Sequence, residues 1–388
     1  MKNTFVTDTI KYIGVDDRDI DLFESQYKVP NGVSYNSYVI MDEKIAVMDT
    51  ADKRKSEEWL ANLETALEGR IPDYLVISHM EPDHAANIGN AAAKYPDMKL
   101  VGNVKTFSML GQFFDGDFED RKVVVKEGDT LELGSHTLKF VMAPMVHWPE
   151  VMFSYEMSEK ILFAADGFGK FGALDADEEW ADEARRYYIN IVGKYGIQVQ
   201  NILKKLDGVE VNAICPLHGP VLKENLGYYI GLYDTWSSYK PETDGVLIAC
   251  ASIHGNTVKA AEKLAEIFAA KGVSDVKLID VTRTDISECI SQAFKYGKTV
   301  FAASSYDAGV FAPMHDLLSH LATKAYQNRK VALVENGSWG PTAAKTMKAM
   351  LEGMKNITIC DNVVTIRSTM KSEDIPKLEA LADELLAL

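Results

Sequence analysis

The segment His79-Met80-Glu81-Pro82-Asp83-His84 decides how this chain is read. It places four potential metal ligands within six positions, after a β-like run (YLVIS, 74–78) and before a helical stretch (HAANIGNAAAKY, 84–95). Pro82 forbids a regular helix through its middle. The segment therefore reads as a loop at a strand end, where side chains can converge on one point.

Three more candidates stand at similar places. His147 follows TLKFVMAP (137–144), Asp166 ends KILFAAD (160–166) just before Gly167, and His218 follows VNAICP (211–216) and precedes Gly219. Strand ends gathered on one sheet edge would bring all seven side chains together. His136 competes for the last position, but it lies inside a strand-like run. Imidazoles and carboxylates without a thiolate suit iron, manganese or zinc. Seven side chains exceed the four that a tetrahedral zinc accepts. They suit two ions about 3.5–4 Å apart bridged by a carboxylate, and the carboxylate-rich set favours iron or manganese.

The rest of this half is mixed. YNSYVI (35–40) and KIAVMD (44–49) are further β-like runs, and helical stretches fall near 54–68 and 178–204. Pattern alone gives α+β. Residues 237–245, SSYKPETDG, read as a polar linker. After it the grammar changes to regular alternation. Apolar runs at 246–251, 276–281, 299–303, 330–334 and 357–366 read as buried parallel strands. Helical stretches lie between and after them, near 257–271, 285–296, 313–325, 342–354 and 371–387. This is the pattern of a doubly wound α/β sheet, whose ligands sit beyond the carboxyl ends of the strands.

Three loops leave from such ends. Ser252-Ile253-His254-Gly255-Asn256-Thr257 follows the first strand and opens a helix. Hydroxyls and backbone N–H groups there make an anion site. Ser304-Ser305-Tyr306-Asp307-Ala308-Gly309 follows the third strand, and Asn336-Gly337-Ser338-Trp339-Gly340 the fourth. Tyr306 and Trp339 would flank an isoalloxazine ring. The 252–257 loop after the first strand resembles the flavodoxin phosphate loop, which makes FMN the expected cofactor, ahead of FAD; the dinucleotide fingerprint GxGxxG does not open this half, so NAD is not supported.

The chain has 388 residues, 47% hydrophobic and 25% charged, as expected of two or three globular domains. Its 41 basic and 57 acidic residues give −16, which argues against general nucleic-acid binding. No apolar run approaches the roughly 20 residues a membrane helix needs. The polar, acidic amino terminus is unlike a signal peptide. Cys215, Cys250, Cys289 and Cys360 form no CxxC pair, so no disulfide framework is expected. A soluble cytoplasmic protein is the resulting expectation.

The histidine–carboxylate pattern resembles the metallo-β-lactamase fold. Hydrolases of that superfamily carry HxHxDH, then a later His, a bridging Asp and a last His. Here Glu81 stands at the second His. Together with the flavodoxin-like second half, this makes the chain resemble the flavodiiron proteins over essentially its whole length. The intervals of 63 positions from His84 to His147 and 19 from His147 to Asp166 match that pattern. The 52 positions to His218 are fewer than in many members, and PLHGP replaces the commoner PSHG. GVSYNSYVI (32–40), HWPEVMFSY (147–155) and ARRYYINIVGKYG (184–196) also match.

The resemblance implies a metallo-β-lactamase-like αββα sandwich over residues 1–240 and a flavodoxin-like FMN domain over 244–388. It implies two non-haem irons. His79, Glu81 and His147 would hold one, Asp83, His84 and His218 the other, and Asp166 would bridge them. In some members the histidine at the His84 position swings away. The implied activity is reduction of dioxygen to water, of nitric oxide to nitrous oxide, or of both. A head-to-tail homodimer or a dimer of dimers is implied too. No rubredoxin module follows the second half, so electrons are expected from a separate donor, rubredoxin or a reduced deazaflavin. The alternative is a binuclear zinc hydrolase with a flavodoxin-like accessory domain. Glu81 argues against it. A second alternative is a non-enzymatic electron carrier that uses only the flavin half, which would leave the first 240 residues without a role.

Overall fold

The computed structural model describes residues 5–116 and 118–388, so residues 1–4 of the amino-terminal segment read above lie outside it. The chain forms two compact units. One runs to Tyr188 and resumes over Ile197–Tyr233; the other joins Ile189–Gly196 to Asp234–Leu388.

The first unit is built on two sheets. One has the order Ile10–Tyr12, Tyr38–Ile40, Ala46–Met48, Tyr74–Val76, Lys99–Gly102, Lys122–Val124. Its first two pairings are antiparallel and the rest parallel. The other has the order Thr130–Glu132, Thr137–Met142, Met152–Glu156, Ile161–Phe163, Ala213–Cys215, with only the last pair parallel. Alternation makes each sheet two-faced. In Thr137–Met142, Leu138 and Phe140 are buried while Lys139 is exposed. Tyr38, Ile40, Met48 and Val76 of the first sheet meet Leu138, Phe140, Met152 and Phe163 of the second in one core. The outer faces are left to helices such as Ser56–Leu67, which buries Trp59 and Leu63. This is the expected αββα sandwich.

The second unit holds five parallel strands in the order Val276–Asp280, Thr243–Ala251, Tyr296–Tyr306, Arg329–Asn336, Ile357–Ile366. Numbered along the chain this is 2-1-3-4-5, the flavodoxin-like winding. All five expected strands form, and so do the helices, at Asn256–Ala270, Ile286–Lys295, Ala312–Thr323, Ala343–Glu352 and Ile375–Ala387. Ile248, Cys250, Val300, Ala302 and Val334 pack with Leu264, Phe268, Leu378 and Leu381 in one core layer.

Several boundaries differ from the expectation, each for a local reason. The helix expected over 178–204 is two helices, Trp180–Ile191 and Gly196–Leu206, separated by a short 3-10 turn at Gly193–Tyr195. Glycines 193 and 196 weaken the continuous helix there. The stretch 84–95 is likewise divided into Pro82–Ala85 and Ile88–Lys94. The strand Thr243–Ala251 opens inside the expected linker, and Tyr239 adopts φ 58° just before it.

Phe140 is fully buried between the two sheets of the first unit. Truncation of such a ring costs about 3–5 kcal/mol. In Phe140→Ala, the denaturant midpoint of the first unit should fall by that equivalent. An unshifted midpoint would mean the ring is not packed as described.

Candidate metal centre and flavin cavity

The site residues stand just beyond strand ends, as expected, but by sharper devices than a continued strand. The strand before His79 stops at Val76. Pro82 does not merely interrupt: it opens the short helix Pro82–Ala85, in the first turn where a missing N–H costs nothing. Asp83 and His84 therefore lie on that first turn, with Glu81 at its cap. Asp166 does not end a strand. The strand stops at Phe163, Ala165 turns to φ 45°, and Gly167 N–H closes a tight turn on the Ala164 carbonyl at 2.8 Å. That turn aims the Asp166 carboxylate inward.

All seven side chains meet in two groups: His79, Glu81, His147 and Asp166 in one, and Asp83, His84 and His218 in the other. In the first, His79 Nε2 lies 3.3 Å from Glu81 Oε2, 3.4 Å from His147 Nε2 and 3.3 Å from Asp166 Oδ2. His147 Nε2 lies 2.9 Å from Glu81 Oε2 and 3.2 Å from Asp166 Oδ2. In the second, His84 Nε2 lies 3.0 Å from His218 Nε2 and 3.3 Å from Asp83 Oδ2. The other oxygen of Asp166, Oδ1, lies 3.3 Å from His84 Nε2 and 4.0 Å from His218 Nε2. One carboxylate thus faces both groups. His136 is elsewhere, its Nδ1 3.1 Å from Glu156 Oε1.

These separations fit bound ions. Donors about 2.1 Å from a common ion, at angles between square and tetrahedral, stand roughly 3.0–3.4 Å apart. The Asp83 and Asp166 oxygens are buried and have no hydrogen-bond partner among the described residues. Orphaned buried carboxylates are costly unless a cation satisfies them. Burial by itself would make the imidazoles less basic. Asp166, with Glu150 and Glu81, outweighs it and holds the His79 imidazole well above the ordinary value. Asp166 and Glu81 likewise lift His147 to about 9 against its burial. Burial pushes Asp166 up, but His79, His147 and His84 override it and hold the carboxyl well below the usual range. Without a metal, protons stand in for the positive charge.

A second layer fixes the first, and most of it escaped the sequence reading. His79 Nδ1 lies 2.8 Å from Glu150 Oε1, which also accepts from Met80 N–H at 2.8 Å. Asp49 Oδ1 accepts from Ser78 N–H at 2.6 Å. His218 Nδ1 donates to the Ser34 carbonyl at 2.7 Å, and Asn36 Nδ2 donates to the carbonyls of Pro216 and Gly219 at 2.8 and 2.7 Å. Such partners orient the imidazoles. Glu150 has a sequence signal, a carboxylate three positions after His147; Asp49 and Asn36 have none beyond lying in strand-end runs.

The second unit carries a cavity of about 730 Å³ beyond the carboxyl ends of its strands. It is lined by Ser252, Ile253, His254, Asn256 and Thr257 of the first loop, Ser304 to Ala308 of the second, and Asn336 to Gly340 of the third. Of the expected residues, Gly255 and Gly309 do not line it. Gly255, at φ 81°, turns the chain into the helix, and Gly309 pairs with Tyr306 in a two-residue strand. Thr342 and Ser368 line it unforeseen. Ser252 Oγ accepts from Gly255 and Thr257 N–H at 3.1 and 3.3 Å, which gathers the loop at the start of a 15-residue helix. A phosphate monoester fits such hydroxyls and amides. Trp339, 94% exposed, and Tyr306, 52% exposed, are flat surfaces that a planar ring would cover.

Residues 33–219 match the family model described as ODP family beta lactamase. The chain is 27% identical to a protein of Moorella thermoacetica named nitric oxide reductase, over 98% of each. It is 28% identical to the anaerobic nitric oxide reductase flavorubredoxin of Escherichia coli O1:K1, over 89% of this chain and 74% of that one. Among solved structures, the rubredoxin oxygen:oxidoreductase of Desulfovibrio gigas superposes with TM-score 0.91 at 26% identity, over 100% of this chain and 98% of that one. The flavodiiron protein of Giardia intestinalis shares the fold, with TM-score 0.91 at 24% identity, over 100% of this chain and 97% of that one. With a lactamase-like unit that gathers seven ligand side chains and a flavodoxin-like unit that offers a flavin cavity, the chain is similar to the flavodiiron proteins over its whole length.

Proposed function

We propose that the chain reduces dioxygen, nitric oxide or both, at a diiron centre held by its first unit and supplied with electrons through FMN in its second. The observation that carries this is the pair of donor groups sharing Asp166 in a chain that also has a flavin cavity. His79, Glu81 and His147 would hold one iron and Asp83, His84 and His218 the other, with Asp166 between them. The matching functional division is residues 1–240 for the iron pair and 244–388 for FMN.

When bound, the iron pair and the flavin would supply the electrons: four, with four protons, reduce one dioxygen to two waters, and two, with two protons, reduce two nitric oxides to one nitrous oxide and one water. The chain's residues supply the rest. Glu81, Asp83 and Asp166 bring three negative charges against the two divalent ions and so let them sit close. Glu150 holds the His79 ring through Nδ1, which would leave Nε2 for the first ion. Ser252, Asn256 and Thr257 would take the flavin phosphate, with Tyr306 and Trp339 beside the ring. A binuclear zinc hydrolase is not favoured, since it gives the cavity no role and its superfamily prefers histidine at the Glu81 position.

A separate protein or cofactor would deliver electrons, with rubredoxin as the donor read from the resemblance and reduced deazaflavin as the other. The same resemblance supports a head-to-tail homodimer, or a dimer of dimers. Among the described residues no helix is long and apolar enough to cross a membrane, and the four cysteines are free and buried. These features support a place in the reducing cytoplasm.

Asp166→Ala and His147→Ala should each reduce consumption of dioxygen and of nitric oxide to background while bound flavin stays near one per chain. Full activity in either would refute the assignment. A second outcome follows from the imidazole shifts. His79 and His147 are both raised above about 6.5, their ordinary value when unfolded. Their contribution to the stability of metal-free protein is complete below about pH 6.5 and is lost as pH rises above it, through about 9 for His147. Divalent metal must displace those protons. Calorimetric titration at pH 7.5, in buffers of different ionisation heat, should show net proton release, and apparent affinity should climb towards pH 9. Binding without proton release would contradict this electrostatic account.

A further inference from the structure

We infer that the two metal positions are unequal: the one formed by His79, Glu81, His147 and Asp166 fills first and empties last. This rests on the reading of the cluster as a dinuclear centre.

The inner donors do not explain the inequality in kind, because each position has two imidazoles and one carboxylate of its own, and faces one oxygen of Asp166. The difference lies one layer further out. His79 Nδ1 is 2.8 Å from Glu150 Oε1, and that carboxylate is fully buried and fixed by Met80 N–H. An anionic partner behind an imidazole locks its orientation and strengthens its donor nitrogen. His218 has only a neutral carbonyl, that of Ser34, behind its Nδ1. The Nδ1 of His84 is buried with no hydrogen-bond partner among the described residues, so no hydrogen bond from Nδ1 fixes the ring.

The geometry agrees. Around the first position, each His79 and His147 Nε2 lies within 3.4 Å of the other and of the Glu81 and Asp166 oxygens that face them. Around the second, the separations reach 4.0 Å, between His218 Nε2 and Asp166 Oδ1. Glu81 Oε2 has a partner in His147 at 2.9 Å, whereas both Asp83 oxygens have none in hydrogen-bonding geometry. The first position is therefore preorganised and the second must be assembled around its ion. The loss of an outer-layer partner typically costs 10- to 100-fold in metal affinity, and that sets the scale of the difference.

The test uses the full chain with its flavin, stripped of metal by a chelator without oxygen and refilled with Co(II). The isotherm should show two steps, the first at least about 10-fold tighter, in line with an outer-layer partner. Crystals with one equivalent should show the anomalous peak between His79 and His147. Glu150→Gln should weaken the first step by about 10- to 100-fold and narrow the gap between steps. Asp83→Asn should remove the second step and leave the first. Two ions binding in a single step, or a first ion between His84 and His218, would overturn the inference. If no ion bound at all, the metal-centre reading itself would fall.

Discussion

Seven ionisable side chains share one buried volume, and their charges can be reconciled only by positive charge at its centre. The surrounding architecture of the first unit serves that requirement. Loops from two different sheets must end at one place, and they do so because both sheets pack on one core, with Phe140, Phe163 and Tyr38 filling it. Protons can supply the charge in the absence of metal, which is why the imidazoles rise and the Asp166 carboxyl falls. Two divalent ions supply it better, since each also satisfies oxygens that no protein donor reaches.

The fold was legible wherever one period dominated. The second unit has long buried parallel strands, and their apolar runs marked all five. The first unit has strands of three residues, such as Ala46–Met48 and Tyr74–Val76, too short to carry a periodic signal of their own. Its order of strands depends on pairings far apart in sequence, such as Ile161–Phe163 with Ala213–Cys215. No local pattern encodes those.

The ligands were legible because metal chemistry restricts residue type and because His79 to His84 are compressed into one segment. Their supports were not. Ser34 acts through its backbone carbonyl, which is the same in every residue type, and Asn36 acts by bonding a loop 180 positions away. Pro82 was read as an interruption, but it is a helix start. A proline's missing N–H excludes it from the interior of a helix and suits it to the first turn, and the sequence alone does not say which applies.

Ser305 has two duties. It lines the flavin cavity, and its Oγ accepts from Thr342 and Ala343 N–H at 2.8 and 3.1 Å, at the head of the helix Ala343–Glu352. A hydroxyl that caps a helix contributes to that helix holding its first turn. The wall of the cavity and the helix are thus mechanically one piece. A molecule that settled against Ser305 would steady the first turn of that helix together with the pocket wall, and its departure would free both.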